Sequence, residues 1–260
     1  MIVQERHRAI LTSLKRRPRV ATELLQGELG ISRSTLRRDL MELEHLGEVV
    51  RVRGEVVHAD FLRGEPSFDR RRARRIAEKQ AIARRAAELV APNSTIYIDA
   101  GTTCLEVGRL LMKRPDLRLF THSIRLVSHA TDSEAAVVCV GGEYRRVSDA
   151  VVGGLTASWL AELRFDIAFV AASGLDEAGL WTTELSECAV KAAILARSRR
   201  KVLVADSEKW GAPTAVRFAG WDRVSDFVTD AGLAEAPRRF VRRAGVNLTV
   251  ATTRESKGKP

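Results

Sequence analysis

The nine residues at positions 32–40, SRSTLRRDL, constrain the fold of this 260-residue chain more than any other stretch. Ser32 reads as a helix cap whose side-chain oxygen meets a free amide of the first turn. Leu36, Leu40 and Leu43 recur at i, i+4 and i+7 and make one apolar stripe. Arg33 with Arg37, and Ser34 with Arg38, fall on other faces of the same helix. Leucines behind, with guanidinium groups and the hydroxyls of Ser34 and Thr35 in front, suit a DNA major groove. There arginine reads guanine, and Ser or Thr reaches base edges or phosphate. Taken alone, these nine residues also fit an ordinary amphipathic surface helix.

The flanking residues favour the DNA reading. Residues 22–29 predict a helix of about two turns with Thr22 as cap, and Gly30 follows where a left-handed turn would end it. Helix, glycine-containing turn and helix make the helix-turn-helix arrangement, with Ile31 wedged between the helices. Upstream, Ile10, Leu11 and Leu14 give a first helix its buried side. Downstream, Gly47 closes the second helix of the pair, and residues 48–52 and 55–58 predict a hairpin around Arg53-Gly54. Such a hairpin is a wing, with Arg51 and Arg53 set against phosphates. Asp39 is expected to pair within the head, with a helix-one base such as Arg6, because a carboxylate facing phosphate would be repelled. The chain carries a net charge of +10, of which +6 falls in residues 1–80, the electrostatic footprint of a DNA-binding head.

Beyond the head, residues 58–72 lack steady periodicity and suit a linker. The arginine run at 70–75 reads either as a contact to the DNA backbone or as the solvated first turn of the next helix. From residue 95 strands alternate with helices, the strands falling at 95–98, 117–120, 136–140, 166–170 and 201–204. That alternation predicts an α/β domain with a mostly parallel sheet, which binds ligands beyond the carboxyl ends of its strands.

Polar residues gather at those ends. Asp99-Ala100-Gly101-Thr102-Thr103 combines a glycine that lets backbone approach an anion with hydroxyl and amide donors at a helix start. A tight strand-to-helix turn is the plainer reading of the same residues. Thr121-His122-Ser123, Gly141-Gly142 and the pair Asp206 and Lys209 repeat the theme at other strand ends. Lys191 and Glu187, four apart on one helix, join the candidate effector site or form a surface ion pair. Cys104, Cys139 and Cys188 have no metal-like spacing and read as reduced core cysteines, so neither a metal nor a cofactor is expected. No apolar run suits a membrane span and no signal peptide begins the chain, which together predict a cytoplasmic protein.

The joint order of these motifs resembles the DeoR family of transcriptional regulators over roughly residues 5–230. The residues that carry the resemblance are Arg6 and Ile10, then Ser32-x-x-Thr35-Leu36-Arg37-Arg38-Asp39-Leu40, Glu78-Lys79, and Asp99-x-Gly101-Thr102-Thr103. They continue as Thr121-x-Ser123, Gly141-Gly142, Glu187-x-x-x-Lys191 and Asp206-Ser207-x-Lys209. The resemblance implies an N-terminal winged helix-turn-helix followed by an α/β effector domain similar to ribose-5-phosphate isomerase. It implies a homo-oligomer, dimer or tetramer, that binds a double-stranded operator and represses carbohydrate-metabolism genes under control of a phosphorylated sugar. The expected boundaries are a head at 1–58, a linker at 59–75, an effector domain at 76–240 and a C-terminal extension at 241–260 with a disordered tail. Two positions depart from the family pattern. The wing reads Arg51-Val52-Arg53-Gly54-Glu55 where Arg-x-His-Gly-Gly is common, and His122 stands where asparagine is usual. The competing function is a sugar-phosphate isomerase-like enzyme with an appended DNA-binding head, in which Asp99, Glu187 and Asp206 would supply carboxylates.

Overall fold

A computed structural model describes residues 2–17, 19–52, 54–58, 66, 68–212 and 214–253. Arg53, the linker residues 59–65 and 67, and the tail 254–260 lie outside the described residues. The chain divides into two compact units, Met1–Pro66 with Gly211–Pro213, and Ser67–Trp210 with Thr214–Pro260.

In the first unit, α1 (Val3–Arg16) precedes a short strand β1 (Arg19–Ala21), then α2 (Thr22–Leu29) and α3 (Arg33–His45). The wing strands β2 (Val49–Val52) and β3 (Glu55–His58) follow, and β3 lies between β1 and β2 in an antiparallel sheet. Strand β1 is an addition to the sequence reading; at three residues it is too short for alternation to show. The predicted apolar stripe forms the core: Ile10, Leu14, Leu25, Leu36, Leu40 and Leu43 are buried together with Val20, Val49 and Val56. Ser32 caps α3 by accepting from the Thr35 amide, and Gly30 ends α2 in the left-handed conformation (φ 62°). Thr22 does not cap α2. It is the first helical residue, and its amide and hydroxyl both donate to the Gly54 carbonyl, at 2.9 and 2.7 Å, which ties the wing turn to the start of α2.

The second unit begins with a short helix α4 (Phe68–Ala73), then α5 (Ile76–Ala87) and a run of strands and helices. These are β4 (Thr95–Ile98), α6 (Thr102–Leu111), β5 (Arg118–Thr121), α7 (Ile124–Val127), β6 (Ala136–Cys139), β7 (Glu143–Arg145), β8 (Ala150–Val152) and α8 (Gly154–Ala161). Then come β9 (Phe165–Val170), β10 (Gly174–Asp176), β11 (Gly179–Thr182), α9 (Leu185–Arg197), β12 (Ser198–Val204) and β13 (Val216–Ala219). Strand β14 (Asp226–Asp230), helix α10 (Glu235–Arg243) and strand β15 (Asn247–Ala251) complete it. Seven strands form one parallel sheet in the order β15-β14-β12-β9-β4-β5-β6. The order runs outward in both directions from the β4–β9 pair, so that pair is the topological switch point where a crevice opens at the strand ends. Apolar clusters cover the sheet, one including Ile82, Ala86, Leu105, Ile98 and Phe169, another Leu195, Leu203, Phe227 and Trp221.

Four expectations change. The linker assigned to 59–75 contains α4, whose Phe68 is 2% exposed and belongs to the sheet-covering core. The arginine run is not one solvated first turn: Arg75 sits at φ 52° between α4 and α5, and its guanidinium pairs with Asp230 at 2.8 Å. The extension assigned to 241–260 begins inside α10, and β15 is an edge strand of the main sheet, paired with β14 through five residues. Of the cysteines, only Cys104 is a core residue; Cys139 is exposed and Cys188 half-exposed.

Candidate functional site

On the first unit, α3 presents the residues selected from sequence. Arg33, Ser34, Arg37 and Arg38 are exposed and, with Met41, line an open concavity. Among the described residues none neutralises these three arginines. Thr35 differs: it is half-buried, and its hydroxyl lies 2.8 Å from Ser32 Oγ, within the cap. Asp39 is 3% exposed and accepts two bonds from Arg6, at 2.7 and 2.9 Å, which removes its charge from the outer face. On the wing, Arg51 is held by Glu44 of α3 at 2.9 Å, so this guanidinium buttresses the hairpin. That pairing holds the Glu44 carboxyl below its usual range, first through the Arg51 amide and then through its side chain. The expected negative charge of Glu55 is met by Arg19 of β1 at 2.7 Å. The assignment of Arg53 to DNA falls outside the described residues.

On the second unit, a recess opens at the switch point. Ala100 to Thr103 after β4, Ala171 to Ser173 after β9, and Val204 and Ala205 at the end of β12 make its floor. Lys191 and Glu187 of α9, Lys209, Ser148 and Arg71 complete the wall. Gly101 is required by close approach, because a Cβ there would stand 2.8 Å from the Ala171 Cβ. No side chain caps α6, so its first amides open toward the recess, which is the geometry of an anion site at a helix start.

Lys191 is 5% exposed and donates to Asp99 Oδ2 and, at 2.9 Å, to the Ala171 carbonyl. Burial pushes its pKa down, but Asp99 and then Glu187 more than reverse this, so the ammonium stays charged. Glu187 accepts from Arg145 at 3.0 Å and from Thr182 at 2.7 Å. Burial opposes its ionisation, yet Lys191, Thr182 and Arg145 hold it below the usual carboxylate range. The sequence pairing of Glu187 with Lys191 is therefore replaced by two separate bonds, Lys191 to Asp99 and Glu187 to Arg145. Arginine, lysine and hydroxyl groups around one carboxylate suit an anionic ligand that also carries hydroxyls.

The other predicted ligands lie behind or beside the recess. Asp99 is 1% exposed, and its Oδ2 also accepts from the Ala171 amide at 2.8 Å. His122 is buried between Tyr97, whose hydroxyl lies 2.7 Å from Nδ1, and Asp99 Oδ1, 3.5 Å from Nε2. Burial lowers its pKa despite Asp99, so the imidazole is neutral. Thr121 donates to the Ile98 carbonyl at 2.8 Å, and Ser123 caps α7. Gly142 admits α8, since a Cβ there would meet Thr156 Oγ1 at 1.9 Å; Gly141 accepts from the Thr156 hydroxyl at 3.0 Å. Asp206 caps the short turn that carries Lys209. Sequence reasoning missed Ser148, Ala171 and Ser173, which carry no charge or motif, and Arg71, hidden in a charge run.

Comparison with known proteins bears on both units. Residues 6–60 match the DeoR-like helix-turn-helix domain and residues 74–231 the DeoR C-terminal sensor domain. The chain belongs to the DeoR family of transcriptional regulators. Among DeoR-type relatives, the HTH-type transcriptional regulator GlpR of Haloferax volcanii is 33% identical, with 95% of this chain and 98% of the relative covered. The glycerol-3-phosphate regulon repressor of Escherichia coli is 31% identical over 87% of this chain and 90% of its own length. Among solved structures, ribose 5-phosphate isomerase A from Methanocaldococcus jannaschii aligns with a TM-score of 0.38 at 19% identity, over 51% of this chain and 53% of that one. No described helix is long and apolar enough to cross a membrane.

Proposed function

We propose that this DeoR-family regulator represses carbohydrate-metabolism genes and is controlled by a phosphorylated sugar or related metabolite. The observation that carries the reading is the recess at the β4–β9 switch point, where Lys191, Lys209 and the uncapped start of α6 face one another across polar backbone. A phosphate ester fits this chemistry. Its dianion takes the ammonium groups and helix amides, and its hydroxyls take Thr102, Thr103, Ser148 and Glu187. The name of one relative, the glycerol-3-phosphate regulon repressor, connects a protein of this family with a phosphate ester.

Arg33, Ser34, Arg37 and Arg38 read the operator, as a homo-oligomer that sets heads on repeated half-sites. A ligand shifts operator affinity only if it binds the free and DNA-bound arrangements differently. The test is a thermal-unfolding screen of the full chain against phosphorylated sugars, followed by operator titration with each hit. A phosphate ester that raises the melting point and changes operator affinity is expected. A screen in which only unphosphorylated sugars or nucleotides stabilise the chain would overturn the reading, and turnover of a sugar phosphate would revive the enzyme.

A further inference from the structure

Arg71 lies in the arginine run that sequence alone divides between a DNA contact and a solvated turn. The fold gives it a different place. It is carried on α4, the first element of the second unit in chain order, and it lines the same recess as Lys191, Lys209 and Thr102. One of its amino nitrogens reaches the Val147 carbonyl at 3.3 Å, which brings the guanidinium to the loop that also lends Ser148 to the recess.

Three further anchors set the position of α4. Lys79 of α5 is 4% exposed and donates to the carbonyls of both Arg71 and Arg74, closing the end of α4. Arg75, in the left-handed conformation just beyond, is clamped to Asp230 at the end of β14. Phe68 anchors the other end of α4 in the core, under the Arg125 guanidinium, 5.5 Å from its ring centroid. Arg71 is thus a partly exposed cation on a helix whose backbone is pinned at both ends. A guanidinium is suited to a bidentate grip on phosphate.

We propose that Arg71 is a ligand of the effector phosphate, and that through it the helix next to the linker forms part of the effector site. The inference rests on the phosphate-ester reading above and adds to it a named residue and a route of regulation. Lys191 and Lys209 hold the ligand from the sheet side, and Arg71 closes on it from α4. Occupancy then bears directly on the segment that continues from the DNA-binding head. A ligand bound only to the sheet would bind equally well whatever state α4 adopts, and would move no equilibrium involving it.

The experiment uses the full chain and three variants, Arg71→Gln, Arg71→Lys and Arg72→Gln. Arg72→Gln removes the same charge from an exposed position of the same helix. Calorimetric titration is made with inorganic phosphate, glycerol 3-phosphate, glucose 6-phosphate and fructose 1-phosphate. Each protein is first checked for cooperative unfolding without ligand. For a phosphate ester bound by the wild type, Arg71→Gln is expected to weaken affinity about tenfold or more. Arg71→Lys should fall between, and Arg72→Gln should match the wild type.

A second measurement takes the factor by which saturating ligand changes affinity for DNA selected by the wild type. That factor should shrink toward one in Arg71→Gln. Equal affinity in Arg71→Gln and wild type overturns the assignment while leaving the phosphate-ester reading intact. An unchanged factor overturns the route through α4. If Arg71→Gln does not fold, Arg71→Lys decides, and wild-type affinity there overturns the bidentate grip. No binding of any of these probes to the wild type overturns the parent reading and this inference with it.

Discussion

Lys191 and Asp99 are both almost wholly withdrawn from water and face each other as a buried ion pair. Replacing Lys191 with Met should leave an unpaired buried carboxylate and lower stability by about 3–5 kcal/mol. Denaturant unfolding checks this, and adding Asp99→Asn should recover part of the loss, as a double-mutant cycle would show. The Lys191→Met chain should also lose any melting-point increase given by a phosphate ester. His122 supplies a pH prediction. Burial lowers its pKa, against Asp99 and with Lys191, so the folded chain refuses a proton that the unfolded chain accepts below about 6.5. The unfolded state then holds more protons, and stability falls as pH drops from about 6.5 toward the lowered value. The slope from this one group reaches at most about 1.4 kcal/mol per pH unit, and it should be missing in His122→Asn when unfolding is followed from pH 7.5 to 5.

At the scale of single elements, α3 separates its duties by face. Leu36, Leu40 and Leu43 pack inward, Asp39 takes Arg6, and the arginines stay outside without an ion pair among the described residues. Arg37→Ala and Arg38→Ala should each weaken operator binding by about 1–3 kcal/mol if the side chain reads a base. If it instead contacts phosphate, the loss should be uniform across sequences and the salt slope shallower by about one. Binding to matched and scrambled duplexes at two salt concentrations distinguishes these outcomes. An Arg51→Ala change should act differently, because Arg51 is held by Glu44. It should loosen the wing, seen as faster amide exchange in β2 and β3, more than it removes a phosphate contact.

For the whole molecule, the sheet order decides where chemistry gathers. Because β4 and β9 begin the two outward runs, the loops after β4, β9 and β12 open onto the recess, joined by Ser148 from the loop between β7 and β8. The ends of β5 and β6 are filled by their own caps and by α8. The far edge matters as well. A chain ending at residue 240 would cut α10, remove β15 and take away Val241 and Val246, both buried. The two valines alone contribute about 3–6 kcal/mol. The truncated chain should therefore melt about 10 °C lower or fail to unfold cooperatively, as calorimetry would record. A melting point equal to that of the full chain would return residues 241–251 to the status of an extension.

Local rules account for what was legible beforehand. The leucine stripe of α3, its Ser32 cap, the Gly30 break and the alternation of strands with helices are short-range patterns, and each element obeys them. The order of the motifs along the chain was enough to place it in its family. Tertiary structure decided which polar strand ends meet. Thr121, Ser123 and Gly142 resemble ligand residues in sequence but serve caps and helix packing, because neighbouring backbone claims them first. Arg71 and Arg75 look alike in one charged run, yet one reaches a recess and the other a buried carboxylate. Pairing over 155 residues, as between Arg75 and Asp230, leaves no periodic trace in a chain; it arises only when seven strands have chosen their neighbours.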